Sequence, residues 1–170
     1  MIKKLVPAAV ALCALWPAAG ADAAGKTRVV VDRFSEPYED TVSCSQFGPY
    51  AFGNHFAGTL SMTITDIRST DGDLLQTVFK VKQRETDTNT ATGKTLPLRT
   101  AAHEVWDYAT NTRTISGAVW IGNEPGAGTF VQDTGRIAMD IDTHEVHFLA
   151  GPHEAFFAGG IDYSVCAALA

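Results

Sequence analysis

Leu60-Ser61-Met62-Thr63-Ile64-Thr65, then Thr70-Asp71-Gly72-Asp73, then Leu75-Gln76-Thr77-Val78-Phe79-Lys80-Val81-Lys82: this stretch decides the fold class. Side chains alternate faces only along strands, and both flanks of the Asp-Gly pair repeat with a period of two. Asp-Gly supplies the backbone conformation of a tight hairpin turn, so the two runs read as antiparallel neighbours. Outward from there the pattern continues. Asn89 to Lys94 reads as a turn, with a strand following around Thr95 to Thr100. Val105 to Ala109 and Thr114 to Ile121 read as a hairpin joined across Thr110-Asn111. Gly122 to Gly128 is a punctuated loop, and Asp133-Thr134-Gly135 reads as a further turn. Ile137, Met139 and Ile141 mark one strand, and Val146, Phe148 and Ala150 the next. After the break at Gly151-Pro152-His153, a last strand is expected around Ile161 to Cys166, with room for one helical turn near Glu154 to Ala158. Strands separated by turns at this spacing predict an all-β domain, an antiparallel β-barrel of about eight strands. A β-sandwich is the alternative. The consecutive hairpins, without a long crossover, favour the barrel.

The chain has 170 residues, 45% of them hydrophobic and 19% charged, with a net charge of -6. That is one domain with ordinary core-forming capacity. Residues 1–23 read as a signal peptide. Lys3 and Lys4 form a positive start, Leu5 to Trp16 an apolar run too short to span a bilayer, and Ala21-Asp22-Ala23 a small-x-small cleavage site. Cleavage there leaves residues 24–170 with 11 basic and 18 acidic side chains, since Lys3, Lys4 and Asp22 depart, for a net charge of -7. The mature protein is expected to be secreted, or periplasmic where the host has an outer membrane. The acidic balance argues against nucleic acid, whose partners carry a basic stripe, and against anionic lipid.

Cys44 and Cys166 remain after cleavage. In an oxidising compartment such a pair reads first as a disulfide, two buried free thiols being the alternative.

The turn Asn89…Thr92-Gly93-Lys94, the loop Pro125-Gly126-Ala127-Gly128, the turn Asp133-Thr134-Gly135-Arg136, the corner Gly151-Pro152-His153-Glu154 and the terminal Cys166-Ala167-Ala168-Leu169 resemble a group of small exported proteins common in actinobacteria. The strand layout is similar, more loosely, to the allene-oxide-cyclase and dirigent type of barrel. That resemblance implies a barrel that binds apolar molecules or steers their cyclisation, and it assigns no catalytic residue here.

The chain contains neither a G-x-S-x-G elbow nor an H-E-x-x-H helix. His144, His147, His153 and His103 are scattered over strand ends with no spacing that fixes a metal site, and no cofactor is implied. A ligand-binding barrel would be lined by Trp106, Tyr108, Trp120 and Phe148, with Arg136 or His153 at its mouth; plain core is the alternative reading of those aromatics. Asp133 and Arg136 are placed to pair across their turn. The ligand expected is a small, apolar molecule. An isomerase or cyclase would need one acid–base group, for which Glu104, His147 and Glu154 are the candidates. A third reading is a protein-interaction module that presents the Asn123 to Gly128 loop.

Overall fold

A computed structural model describes residues 25–157 and 160–170. The expected leader, residues 1–23, lies outside the described residues. The chain forms seven strands, β1 (Thr27–Ser43), β2 (Gly53–Arg68), β3 (Leu74–Asn89), β4 (Thr95–Asp107), β5 (Thr112–Glu124), β6 (Gly128–Asp140) and β7 (Val146–Ala150), then two helices, α1 (Glu154–Phe157) and α2 (Ile161–Leu169). The strands pair antiparallel in sequence order, as one meander. Its turns are those that the Gly and Asn residues demand. At the β2–β3 turn, Ser69 N–H donates to the Asp73 carbonyl at 2.9 Å while Gly72 holds φ 94°. Closing a barrel would require a seam between β1 and β7; the sheet has seven strands and ends at those two, with no such pairing among the described residues. The edge strand β1 carries Asp32, Arg33, Glu36, Glu39 and Asp40 together with Pro37, which lacks an N–H, and these discourage edge-to-edge association.

Register assigns each strand two faces. On β4, Leu96, Leu98, Thr100 and Ala102 are buried while Pro97, Arg99, Ala101 and His103 are exposed. The buried face continues through Asp87, Glu85, Gln83 and Val81 of β3 and through Phe56, Gly58, Leu60 and Met62 of β2. On this face α2 seats Val165 and Leu169 against Leu96, and Ala155 of α1 packs with Leu98 and Val131. Ile115, Ile137 and Met139 form a third cluster there.

Several elements differ from the sequence reading, each for a physical reason. The last segment is a helix. Ile161, Val165 and Leu169 recur every four residues, and Val165, Cys166 and Leu169 are buried together, as one helical stripe requires. Its terminal carbonyls, which a helix leaves without partners, are met by the β3–β4 turn: Asn89 Nδ2 donates to Leu169 O at 3.1 Å and Lys94 Nζ to Ala168 O at 2.6 Å. The disulfide between Cys44 and Cys166, Cα atoms 5.6 Å apart, ties α2 to the short 3-10 turn after β1.

Asp133-Thr134-Gly135 is no turn. It runs through the middle of β6, and Gly135 is there because a Cβ would lie 2.0 Å from Ala150 O. The segments Thr95 to Thr100 and Val105 to Ala109 belong largely to one strand, β4, with the turn beginning at Tyr108. The Gly122 to Gly128 loop shrinks to a turn between Glu124 and Gly128. The first strand, β1, has no clean alternation and was not expected, since most of its residues are exposed on both faces. A bulge between Ala118 and Trp120 interrupts the period of two, so Gly117 and Trp120 share the buried face while Ile121 points away.

Candidate ligand pocket

On the buried face, between the middle of the sheet and α2, lies a pocket of about 220 Å³. Tyr38 (β1), Phe56 (β2), Glu85 and Asp87 (β3), Trp120 (β5) and Asp162 (α2) supply its chemistry. One glycine and one bulge build it. Tyr38, Gly58 and Glu85 stand in one cross-strand row, and a Cβ on Gly58 would lie 2.8 Å from the Tyr38 hydroxyl and 2.4 Å from Arg84 O. Only glycine lets the tyrosine cross β2 and donate its hydroxyl proton to Glu85 Oε2 at 2.5 Å. Gln83 Nε2 donates to the Tyr38 oxygen at 2.6 Å and to Glu85 Oε2 at 3.1 Å. The bulge at Val119 turns Trp120 onto the pocket face. Tyr38 and Phe56 meet at a tilted 6.3 Å between ring centroids.

Asp87 is the deepest of these groups, 2% exposed. Its Oδ1 accepts from Asn54 Nδ2 at 2.7 Å, and Asn54 is itself fixed by the Thr88 N–H. No donor reaches its Oδ2 among the described residues, and when Asp87 is protonated its carboxyl hydrogen-bonds Glu85. Burial above all, then the neighbouring Glu85 carboxylate, raises the Asp87 pKa to about 7 against the Asn54 hydrogen bond, with Asp162 adding a smaller push. Burial also raises the Asp162 carboxyl, and burial with the Glu85 bond pushes the Tyr38 phenol far up. The pocket therefore combines aromatic walls, a carboxyl group that changes charge near neutrality, and a neutral phenol. Such convergence of perturbed groups marks working sites.

Of the residues expected from sequence, only Trp120 lines this pocket. Trp106 lies farther along β4, tilted against Phe79 and under the Arg113 guanidinium. Glu104 accepts from Trp106 Nε1 and pairs with Arg113 Nε at 2.7 Å, outside this pocket's lining. Tyr108 is exposed in a turn, its hydroxyl donating to Thr77. Phe148 is exposed on the opposite face, beneath Arg136. His147 is exposed on β7. Glu154 opens α1, and its side chain lies outside what the structure describes.

Asp133 and Arg136 point to opposite faces and do not pair. Asp133 instead meets His153: Oδ1 lies 2.9 Å from Nδ1, Oδ2 accepts the Phe156 N–H, and His153 Nε2 reaches Ala150 O at 3.0 Å. Both groups are buried and every oxygen and nitrogen is engaged, so the pair pins α1 to β6 and stands at no mouth. Among the described residues no group of three or more His, Cys, Asp or Glu is arranged to hold a metal ion. Larger depressions lie on the opposite face, lined mainly by exposed or half-buried strand residues such as Thr59, Arg84, Arg99, Lys80 and Lys82.

Tyr38, Phe56, Gln83, Glu85, Asp87 and Asp162 were not read as site residues. One signal was present: Phe79 and Val81 pass in register into Gln83, Glu85 and Asp87, so an apolar face turns acidic along one strand. No protein-family model, curated protein or solved structure matches this chain.

Proposed function

We propose that this protein is an exported binder of a small ligand, an apolar body ending in a hydrogen-bond donor such as an amine, held between Tyr38, Phe56 and Trp120 with its head on Asp87. The observation that carries the reading is Asp87 Oδ2, buried in an aromatic pocket with no donor of its own. A buried acceptor left unmade costs about 1–3 kcal/mol, which a donating ligand recovers. Aromatic faces and carboxylates are the usual surroundings of organic cations. The volume limits the guest to something smaller than a drug-sized molecule, whose sites start at roughly 300 Å³. Export rests on the leader-like residues 1–23, and the Cys44–Cys166 disulfide fits a non-reducing compartment.

Native mass spectrometry of the unreduced protein from its own host tests this. A reproducible adduct lost on denaturation, and absent from Asp87→Asn and Trp120→Ala, is the expected result. An adduct that both variants keep places the ligand elsewhere.

A second reading is an isomerase or cyclase in the same pocket, as the looser barrel resemblance implies. It is favoured by an Asp87 poised near neutrality, where a general acid–base group is most effective. Turnover of the released ligand into an isomer of equal mass, abolished by Asp87→Asn, would distinguish catalysis from binding.

A further inference from the structure

The net charge of -6 conceals a segregation that only the strand register reveals. On the face opposite the core, three adjacent cross-strand rows contain no Asp or Glu. The first is Arg33, Thr63, Lys80, His103, Ser116 and Arg136; the second Ser35, Ser61, Lys82, Ala101, Ala118 and Thr134; the third Pro37, Thr59, Arg84, Arg99, Ile121 and Gln132. Arg33, Lys80, Lys82, Arg84, Arg99 and Arg136 thus gather six of the chain's 13 Lys and Arg side chains on one surface. All six are exposed, and none forms an ion pair among the described residues. Asp32, Glu36, Asp40, Glu85, Asp87 and Glu104 fall on the other face, and the carboxylates that share the basic face, Glu39, Asp107 and Asp140, lie outside the three rows.

The basic surface is shaped as well as charged. Lys80, Lys82 and Arg84 step along β3 at about 7 Å intervals, and neighbouring strands add cations at about 5 Å spacings. Two depressions open on it, one of about 570 Å³ beside Arg84 and Arg99 and one of about 390 Å³ among Arg33, Lys80 and Lys82. Arg84 and Arg99 stand directly opposite each other across β3 and β4. Like charges so placed destabilise a sheet, and a multivalent anion laid over them removes the repulsion.

We propose that this face binds an extended anionic polysaccharide. Ser35, Ser61, Thr59, Thr63 and Ser116 set hydroxyls between the cations, suited to sugar hydroxyls and to the oxygens of sulfate, phosphate or carboxylate groups. The three rows hold no Phe, Tyr or Trp, and Phe148 beside them lies under the Arg136 guanidinium, so the surface offers no run of rings on which successive bases could stack and a glycan is the better fit. This surface is independent of the ligand pocket, which opens on the other side of the sheet.

Heparin serves as the probe. The unreduced protein, although acidic, is expected to be retained on immobilised heparin at pH 7 in about 50 mM salt, where a Debye length exceeds 10 Å, and to elute as salt rises. K80Q/K82Q/R84Q is expected to weaken heparin binding by about tenfold or more, while K26Q/R28Q, outside the three rows, changes it little. These positions are exposed, and circular dichroism with intact mass verifies the fold and the disulfide in each variant. Passage through the column, equal loss in both variants, or tighter binding of a DNA duplex than of heparin would each overturn the proposal.

Discussion

Tyr38 donates its hydroxyl proton at 2.5 Å to Oε2 of Glu85, two strands away in register, by lying across Gly58 of the strand between. One absent side chain thus links the exposed edge strand to the acidic heart of the sheet, and the pocket depends on it.

Gly58→Ala sets a methyl 2.4 Å from Arg84 O, a backbone atom that cannot swing aside, and 2.8 Å from the Tyr38 hydroxyl. A destabilisation of about 1–3 kcal/mol is expected, as for other overpacked sites. Urea unfolding at constant m-value measures it, and Tyr38→Phe in the same background separates the ring clash from the lost hydrogen bond. An unchanged midpoint for G58A would contradict the close crossing.

Asp87 has a folded pKa of about 7 against an ordinary 3.8, so the native state holds its proton more tightly than the unfolded chain. Its contribution to stability is therefore present at low pH and is lost as pH rises from 3.8 to about 7. Asp87→Asn preserves an acceptor for Asn54 and carries no charge. Relative to wild type, this variant is expected to gain stability at pH 8 and to show no gain near pH 4. Melting temperatures across that range check the sign; a difference that does not vary with pH would refute the elevated pKa.

The disulfide joins residues 122 apart in sequence. In the chain-entropy model a closure of this length stabilises by about 5 kcal/mol. Cys44→Ser with Cys166→Ser is expected to lose much of that and, because α2 forms one wall of the pocket, to weaken any retained ligand as well. Protease susceptibility after Ile161 reports release of the helix separately from global unfolding.

Asp133→Ala would remove the partner of His153 Nδ1 and the carboxylate that the Phe156 N–H now donates to. A loss of about 1–3 kcal/mol is expected, the cost of leaving buried hydrogen-bonding groups without their partner. Asp133→Asn should fall between the two, since one oxygen remains to accept. Hydrogen exchange at Phe156 localises the effect to α1.

The legible parts of the fold were those carried by neighbouring residues. Asp71-Gly72 and Asn89 to Lys94 announced their hairpins because the turn conformations need those side chains locally. Alternation from Leu60 to Lys82 announced two strands, and the cysteine pair its bridge. Ile161 to Leu169 misled because a short apolar run fits either period until four-residue spacing is tested. Asp133-Thr134-Gly135 misled because its glycine answers to Ala150 O, brought near only by folding.

By itself the sequence determined an all-β antiparallel chain, its main turns and its covalent staple, since each follows from local backbone preference or from residue identity. Tertiary structure alone decided which side chains share a face. Six strands of 13 to 17 residues aligned in register turn small local events into long-range consequences. The bulge at Val119 brings Trp120 to the pocket, Gly58 lets Tyr38 meet Glu85, and pairing across six strands gathers six cations into three adjacent rows free of carboxylates. Composition sums charges without direction; the register of the sheet gives them one.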